Sequence, residues 1–112
     1  MLNDRQPAGQ RVVEYVRYEL GPDATGQFEA AYQAVGGLLT ESPHCLGWEL
    51  ARGVDNPGSF VVRIEWDSLA GHEQGFRGSP GFPEFFRTLA VFSAHRLEMA
   101  HYRAVNGSAG AA

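Results

Sequence analysis

The chain has no lysine, a single cysteine and no long apolar run. Cys45 alone forms no internal disulfide, which points to a reducing compartment and a cytoplasmic protein. Nothing approaches the roughly 18 consecutive apolar residues of a membrane span, and the polar opening MLNDRQPAGQ lacks the basic-then-apolar pattern of a signal peptide. With nine basic residues against thirteen acidic ones, the net charge of −4 gives nucleic acid or an anionic membrane no reason to bind. All nine cations are arginine, which reads as genome composition. A phosphate loop, a dinucleotide fingerprint, zinc spacing and a Ser-His-Asp signature are also missing, so nothing asks for a nicotinamide, a flavin or a metal.

What is present is one domain's worth of core. Apolar residues make up 44% of the 112 and aromatics 12%, enough to exclude disorder for the body of the chain. A domain of this size buries about two-thirds of its unfolded surface, so a second copy would add stability. Residues 1–10 read as a flexible arm, 11–105 as the domain and 106–112 as a disordered tail.

RVVEYVRYEL (11–20) is rich in Val and Tyr and reads as a strand. Asp23 is placed to cap the helix that follows over 24–41, where Phe28, Ala31, Tyr32, Val35, Leu38 and Leu39 recur at helical spacing. Gly36 and Gly37 weaken this helix, and Ser42-Pro43 ends it. CLGWELAR (45–52) alternates with Leu46, Trp48 and Leu50 on one side. After the turn residues Asp55-Asn56-Pro57-Gly58, SFVVRIEW (59–66) alternates again, giving a hairpin. Asp67 or Ser68 caps a second helix bearing Leu69, His72 and Phe76, and GSPGFP interrupts it. A helical piece from Pro83 and a last strand, His95 to Val105, complete the order strand-helix-strand-strand-helix-strand. This is the ferredoxin-like α+β plan, a four-stranded antiparallel sheet with helices on one face. The other face, with Val13, Tyr15 and Val61 among Arg17, Arg63, Glu49 and Glu65, is too apolar for water and predicts a homodimer closed sheet to sheet.

Strand one, the hairpin SPHCLGWELARGVDNPGSFVVRIEWDS and the helix after it resemble the antibiotic biosynthesis monooxygenase family, over about 11–105. The most specific element is Glu65-Trp66-Asp67-Ser68. Phe28 to Tyr102 is also similar to barrel domains attached to truncated globins. The resemblance implies a dimeric α+β barrel and either of two activities: cofactor-free oxidation of polyketide anthrones to quinones, or haem binding and degradation. Quinone-forming members pair the strand-three Trp, here Trp66, with an Asn four residues earlier, where this chain has Val62. The haem-degrading members' Asn and His align with Val16 and Glu84.

The residues themselves suggest roles. Trp66 is a stacking wall for a flat substrate, or simply closes the core. His72, an imidazole near its ordinary pKa of about 6.5, is the candidate base for a phenolic or hydroxyanthrone proton; otherwise it sits at the helix rim. Tyr18, Trp48, Phe76 and Phe86 shape the pocket, and Arg87 is the cation nearest to it. Glu14 interrupts an apolar face and is read as wet, near a strand end. His95 and His101 share a strand face but lack a third metal ligand. Cys45, beside His44, reads as a small buried hydrophobe. The expected function is a cofactor-independent monooxygenase using O2 on a small aromatic substrate. The alternatives are a non-catalytic haem- or hydrophobic-ligand module, beside a globin in one version, and a structural dimer with a filled core.

Overall fold

A computed structural model describes residues 10–107, so the N-terminal arm and most of the expected tail lie outside the described residues. The chain runs β1 (Val12–Glu19), α1 (Thr25–Glu41), β2 (Cys45–Arg52), β3 (Ser59–Trp66), a π-helical turn (Gly71–Phe76), α2 (Phe82–Ala90), a 3-10 turn (Ser93–His95) and β4 (Arg96–Tyr102). The four strands form one antiparallel sheet in the order β2-β3-β1-β4. This is the ferredoxin-like α+β arrangement expected from the alternation of strand and helix patterns. Among the described residues no helix is long and apolar enough to cross a membrane.

The period of two along β1 and β3 decides which side chains enter the core. Val12, Glu14, Val16 and Tyr18 alternate inward on β1, and Phe60, Val62, Ile64 and Trp66 do so on β3. Helix α1 answers with Phe28, Tyr32, Val35, Gly36 and Leu39, one stripe at helical spacing. Phe28 sits at the centre, its ring 4.6 Å from Tyr18 and 5.1 Å from both Phe60 and Phe92. The hairpin turn forms as its residues require: Ser59 N–H donates to the Asn56 carbonyl at 3.0 Å, and Gly58 N–H to the Asn56 side chain at 3.1 Å.

Four details depart from the sequence reading. The cap position of α1 falls on Ala24, because Ala24 N–H closes a turn on the Gly21 carbonyl at 3.0 Å; Asp23 therefore does not cap. A bulge between Cys45 and Gly47 leaves Leu46 out of the inward row, half exposed. The expected second helix is a π-turn, with Leu69 facing outward just before it. The last strand begins at Arg96, so exposed His95 belongs to the preceding turn and shares no strand face with His101.

On the sheet's outer face Val13, Tyr15 and Val61 are half-buried, and Tyr15 meets Tyr102 edge to face with centroids 5.4 Å apart. Charges there are paired, Arg63 with Glu65 at 3.1 Å and Arg17 with Glu98 at 3.7 Å.

Candidate functional site

The register of the sheet brings three polar groups to one place. Pairing of β1 with β4 sets Glu14 opposite His101, and pairing of β1 with β3 sets Val12 opposite Trp66, so all of these face the helices. The π-turn then lays His72 over Trp66, with rings 4.5 Å apart and 10° from parallel. Its geometry has a local cause. A Cβ on Gly75 would collide with the His44 ring and one on Gly71 with the Asp67 carboxylate, and His44 Nδ1 is held 2.9 Å from that carboxylate. Ser68 Oγ accepts the Gly71 N–H at 2.9 Å, and Arg77 N–H reaches the His72 carbonyl at 3.2 Å, the wide i→i+5 closure. Such turns are rare and frequently mark functional positions.

The Trp66 indole N–H donates to Glu14 Oε1 at 3.0 Å. His72 Nε2 lies 3.6 Å from the same oxygen, and His72 Nδ1 is 2.7 Å from His101 Nε2. Glu14 is 3% exposed and His72 5%, while His101 is half-buried. Glu14 is thus buried, contrary to its reading as a wet residue, because Trp66 and His72 pack against its carboxylate.

Burial governs both titrations. It pushes the Glu14 carboxyl up, against the pull of the Trp66 hydrogen bond and the charges of His101, Arg77 and Arg96. It drives His72 down to about 3, helped by the charges of Arg77 and His101. The ordinary imidazole expected at position 72 is therefore absent, and near neutral pH this ring carries no charge. The Glu14–His72 contact is accordingly not an ion pair.

Glu14, His72 and His101 offer ligand atoms within 4.8 Å of one another. Glu14 is the third group that the sequence reading lacked. One ring nitrogen of His72 faces Glu14 and the other faces His101, and the three groups lie close enough together to hold a metal ion. The three side chains form a continuous polar chain from a buried carboxylate through one imidazole to a second, half-buried one.

Glu14, Trp66 and His72 form one wall of a cavity of about 510 Å³, a size that suits a small molecule. Phe76, Phe82, Phe85 and Phe86 supply its aromatic side, and Tyr18, Arg96 and Met99 its other end. The phenols of Tyr18 and Tyr32, also in the lining, are pushed up by burial and stay protonated.

Of the residues singled out in the sequence, Trp66, His72, Tyr18, Phe76 and Phe86 meet at this cavity, Phe86 with 60% exposure. Trp48 does not. Its indole donates to Thr40 Oγ1 at 2.9 Å, beside a shallow depression on Glu29, Tyr32 and Leu50. Arg87 is exposed and outside the lining; Arg77 and Arg96 are the cations there. Half-buried Cys45 donates its thiol to the Gly47 carbonyl at 3.6 Å, and burial pushes its pKa up, which disfavours the thiolate.

The sequence profile of the antibiotic biosynthesis monooxygenase family matches residues 11–106. The chain is 23% identical over 79 residues to the uncharacterised protein YczJ of Bacillus subtilis, covering 70% of this chain and 83% of YczJ. In structure it is similar to SnoaB, a cofactor-independent oxygenase from Streptomyces nogalater, with a TM-score of 0.73, 19% identity and coverage of 88% of this chain and 96% of SnoaB. Rv0793 from Mycobacterium tuberculosis gives a TM-score of 0.74 at 17% identity, covering 89% of this chain and all of Rv0793. These structural likenesses concern the fold, while the profile spans nearly all of the described residues. The chain belongs to the antibiotic biosynthesis monooxygenase family.

Proposed function

We propose that the protein is a cofactor-independent monooxygenase that uses O2 on a flat, aromatic, oxygenated small molecule. The observation that carries this reading is the buried Glu14 carboxylate, hydrogen-bonded to Trp66 and backed by His72 on the wall of an aromatic cavity. A carboxylate whose pKa is raised by burial is a better base than one in water, and it operates closer to neutral pH. Similarity in fold to SnoaB, a cofactor-independent oxygenase, supports the same chemistry.

For an anthrone the steps balance without an external reductant. Glu14 takes a proton from the ring methylene, and the carbanion passes an electron to O2. The resulting radicals combine at carbon, and the peroxide is protonated from Glu14. Loss of water leaves the ketone, so one methylene and one dioxygen become one carbonyl and one water. Trp66 orients Glu14 and stacks with His72, and His72 and His101 carry protons between the carboxyl and the surface.

A second copy of the chain covers the outer face of the sheet in this reading, through Val13, Tyr15 and Val61. The test is oxygen uptake with dithranol, a model anthrone, in the presence of a chelator. One O2 consumed per quinone formed, with loss of rate in Trp66→Phe, supports the proposal. No uptake, together with a Soret shift on adding haem, replaces it with a haem-binding module.

A further inference from the structure

Glu14 is a buried carboxylate with no arginine beside it. It is 3% exposed, and its one hydrogen bond among the described residues comes from the Trp66 indole to Oε1. Among those residues no guanidinium lies within ion-pair distance of it, whereas Glu29, Glu65 and Glu98 nearer the surface each hold an arginine. Buried charges are ordinarily paired or bound to a metal.

Two imidazoles stand where a cation would be held. The register of β1 with β4 sets His101 opposite Glu14, and the π-turn brings His72 to both. Cross-strand partners have Cβ atoms about 4.5–5.5 Å apart, so the sheet itself places two of the three ligands. His72 Nδ1 and His101 Nε2 lie 2.7 Å apart. Two nitrogens that close share one proton, and a metal ion can take its place. One ligand atom from each of the three side chains lies within 4.8 Å of the other two. A tetrahedral zinc ion with bonds of about 2.0–2.2 Å spaces its ligand atoms roughly 3.4 Å apart. Side-chain rotation closes that difference with the strands in place. The Trp66 hydrogen bond is the kind of outer partner that orients a metal-binding carboxylate. Glu14 and His72 also line the cavity, which leaves the ion an open position toward it.

We infer that Glu14, His72 and His101 bind one divalent transition-metal ion of the zinc type, and that the bound ion silences the oxygenase by occupying the carboxylate that takes the substrate proton. Two nitrogens and one oxygen select zinc or cobalt over magnesium and calcium, which favour oxygen ligands. The binding rests on the geometry of the three side chains; the silencing rests on the oxygenase reading above.

Binding is tested by equilibrium dialysis of the full chain, first stripped with a chelator, against Zn2+. One zinc per chain is expected, with no retention of Mg2+, and Co2+ in its place should show the visible absorption of a four-coordinate site. His101→Ala should weaken zinc binding at least about 100-fold, since loss of a mere outer partner already costs about 10–100-fold. His95→Ala, in the exposed turn before β4, should bind as the unmodified protein does. No zinc retained by the unmodified protein overturns the inference. So does binding that survives His101→Ala and disappears in His44→Ala, which would place the ion on the His44–Asp67 pair. Should His101→Ala fail to fold, the Co2+ spectrum of the unmodified protein decides, and the pale spectrum of the hydrated ion overturns the site. Oxygen uptake with dithranol should fall in proportion to bound zinc and return when a chelator is added. Zinc bound without loss of uptake overturns the silencing and leaves the site standing. No uptake by the zinc-free protein overturns the oxygenase reading and the silencing with it, while the site is decided by the dialysis.

Discussion

The indole of Trp66 gives its only hydrogen to Glu14, a carboxylate 52 positions earlier in the chain, at 3.0 Å inside the core. The bond ties the end of β3 to the start of β1 and fixes one carboxylate oxygen. It also opposes the upward push of burial on the Glu14 pKa. Two consequences can be measured.

The first concerns stability against pH. The folded-state pKa of Glu14 lies above its ordinary 4.5. Its contribution to stability is therefore complete below that ordinary value and is lost as pH rises through the folded value. Glu14→Gln keeps an oxygen for the Trp66 N–H but does not ionise. Thermal unfolding followed from acid to neutral pH should show the variant gaining on the unmodified protein as pH rises. Parallel curves would show that burial does not perturb this carboxyl.

The second concerns Trp66→Phe, which keeps a large ring and removes the donor. The Glu14 anion then loses its hydrogen bond, and its pKa rises further. Oxygen uptake with dithranol should slow by about 10-fold or more, and the rising limb of its pH profile should move to higher pH. Stability should fall by roughly 1–3 kcal/mol, as when a buried polar group loses its partner. A slowed enzyme with an unmoved profile would mean that Trp66 only fills space.

Much of this architecture is legible in the sequence, and the gaps have physical causes. Alternation in CLGWELAR and SFVVRIEW marks β2 and β3 at both ends, because half-buried strands must alternate. The π-turn is not legible: Leu69, His72 and Phe76 fit an ordinary helix, and the close approach of Gly71 to Asp67 and of Gly75 to His44 exists only in the fold. Glu14 stands out as a charge on an apolar face. Its partner depends on strand register, which pattern alone leaves free. The cations of the cavity are hidden for a similar reason, since Arg77 and Arg96 come from different elements and line one space only in the fold.

Adjacent glycines in α1 should respond oppositely to alanine. A Cβ on Gly36 collides with the ring of Trp48, whereas Gly37 has open space around it. Gly36→Ala should cost about 1–3 kcal/mol through overpacking. Gly37→Ala should add roughly 0.5–1 kcal/mol from helix propensity. Denaturant midpoints of the two variants decide the point, and equal shifts would contradict the packing of Trp48 on α1.

The outer sheet face gives a further expectation. Sedimentation at micromolar concentration should show a dimer, and Val61→Asp should dissociate it with the circular dichroism spectrum preserved. A monomer in the unmodified protein would leave that face in water and remove the partner subunit from the account.

Mixing the protein with dithranol under nitrogen, with a chelator present, isolates the step assigned to Glu14. The absorbance of the anthrone anion should appear without oxygen, persist until oxygen is admitted, and form at least about 100-fold more slowly in Glu14→Gln, as expected for loss of a general base. If the anion never forms, or forms equally fast in Glu14→Gln, the buried carboxylate is not the base.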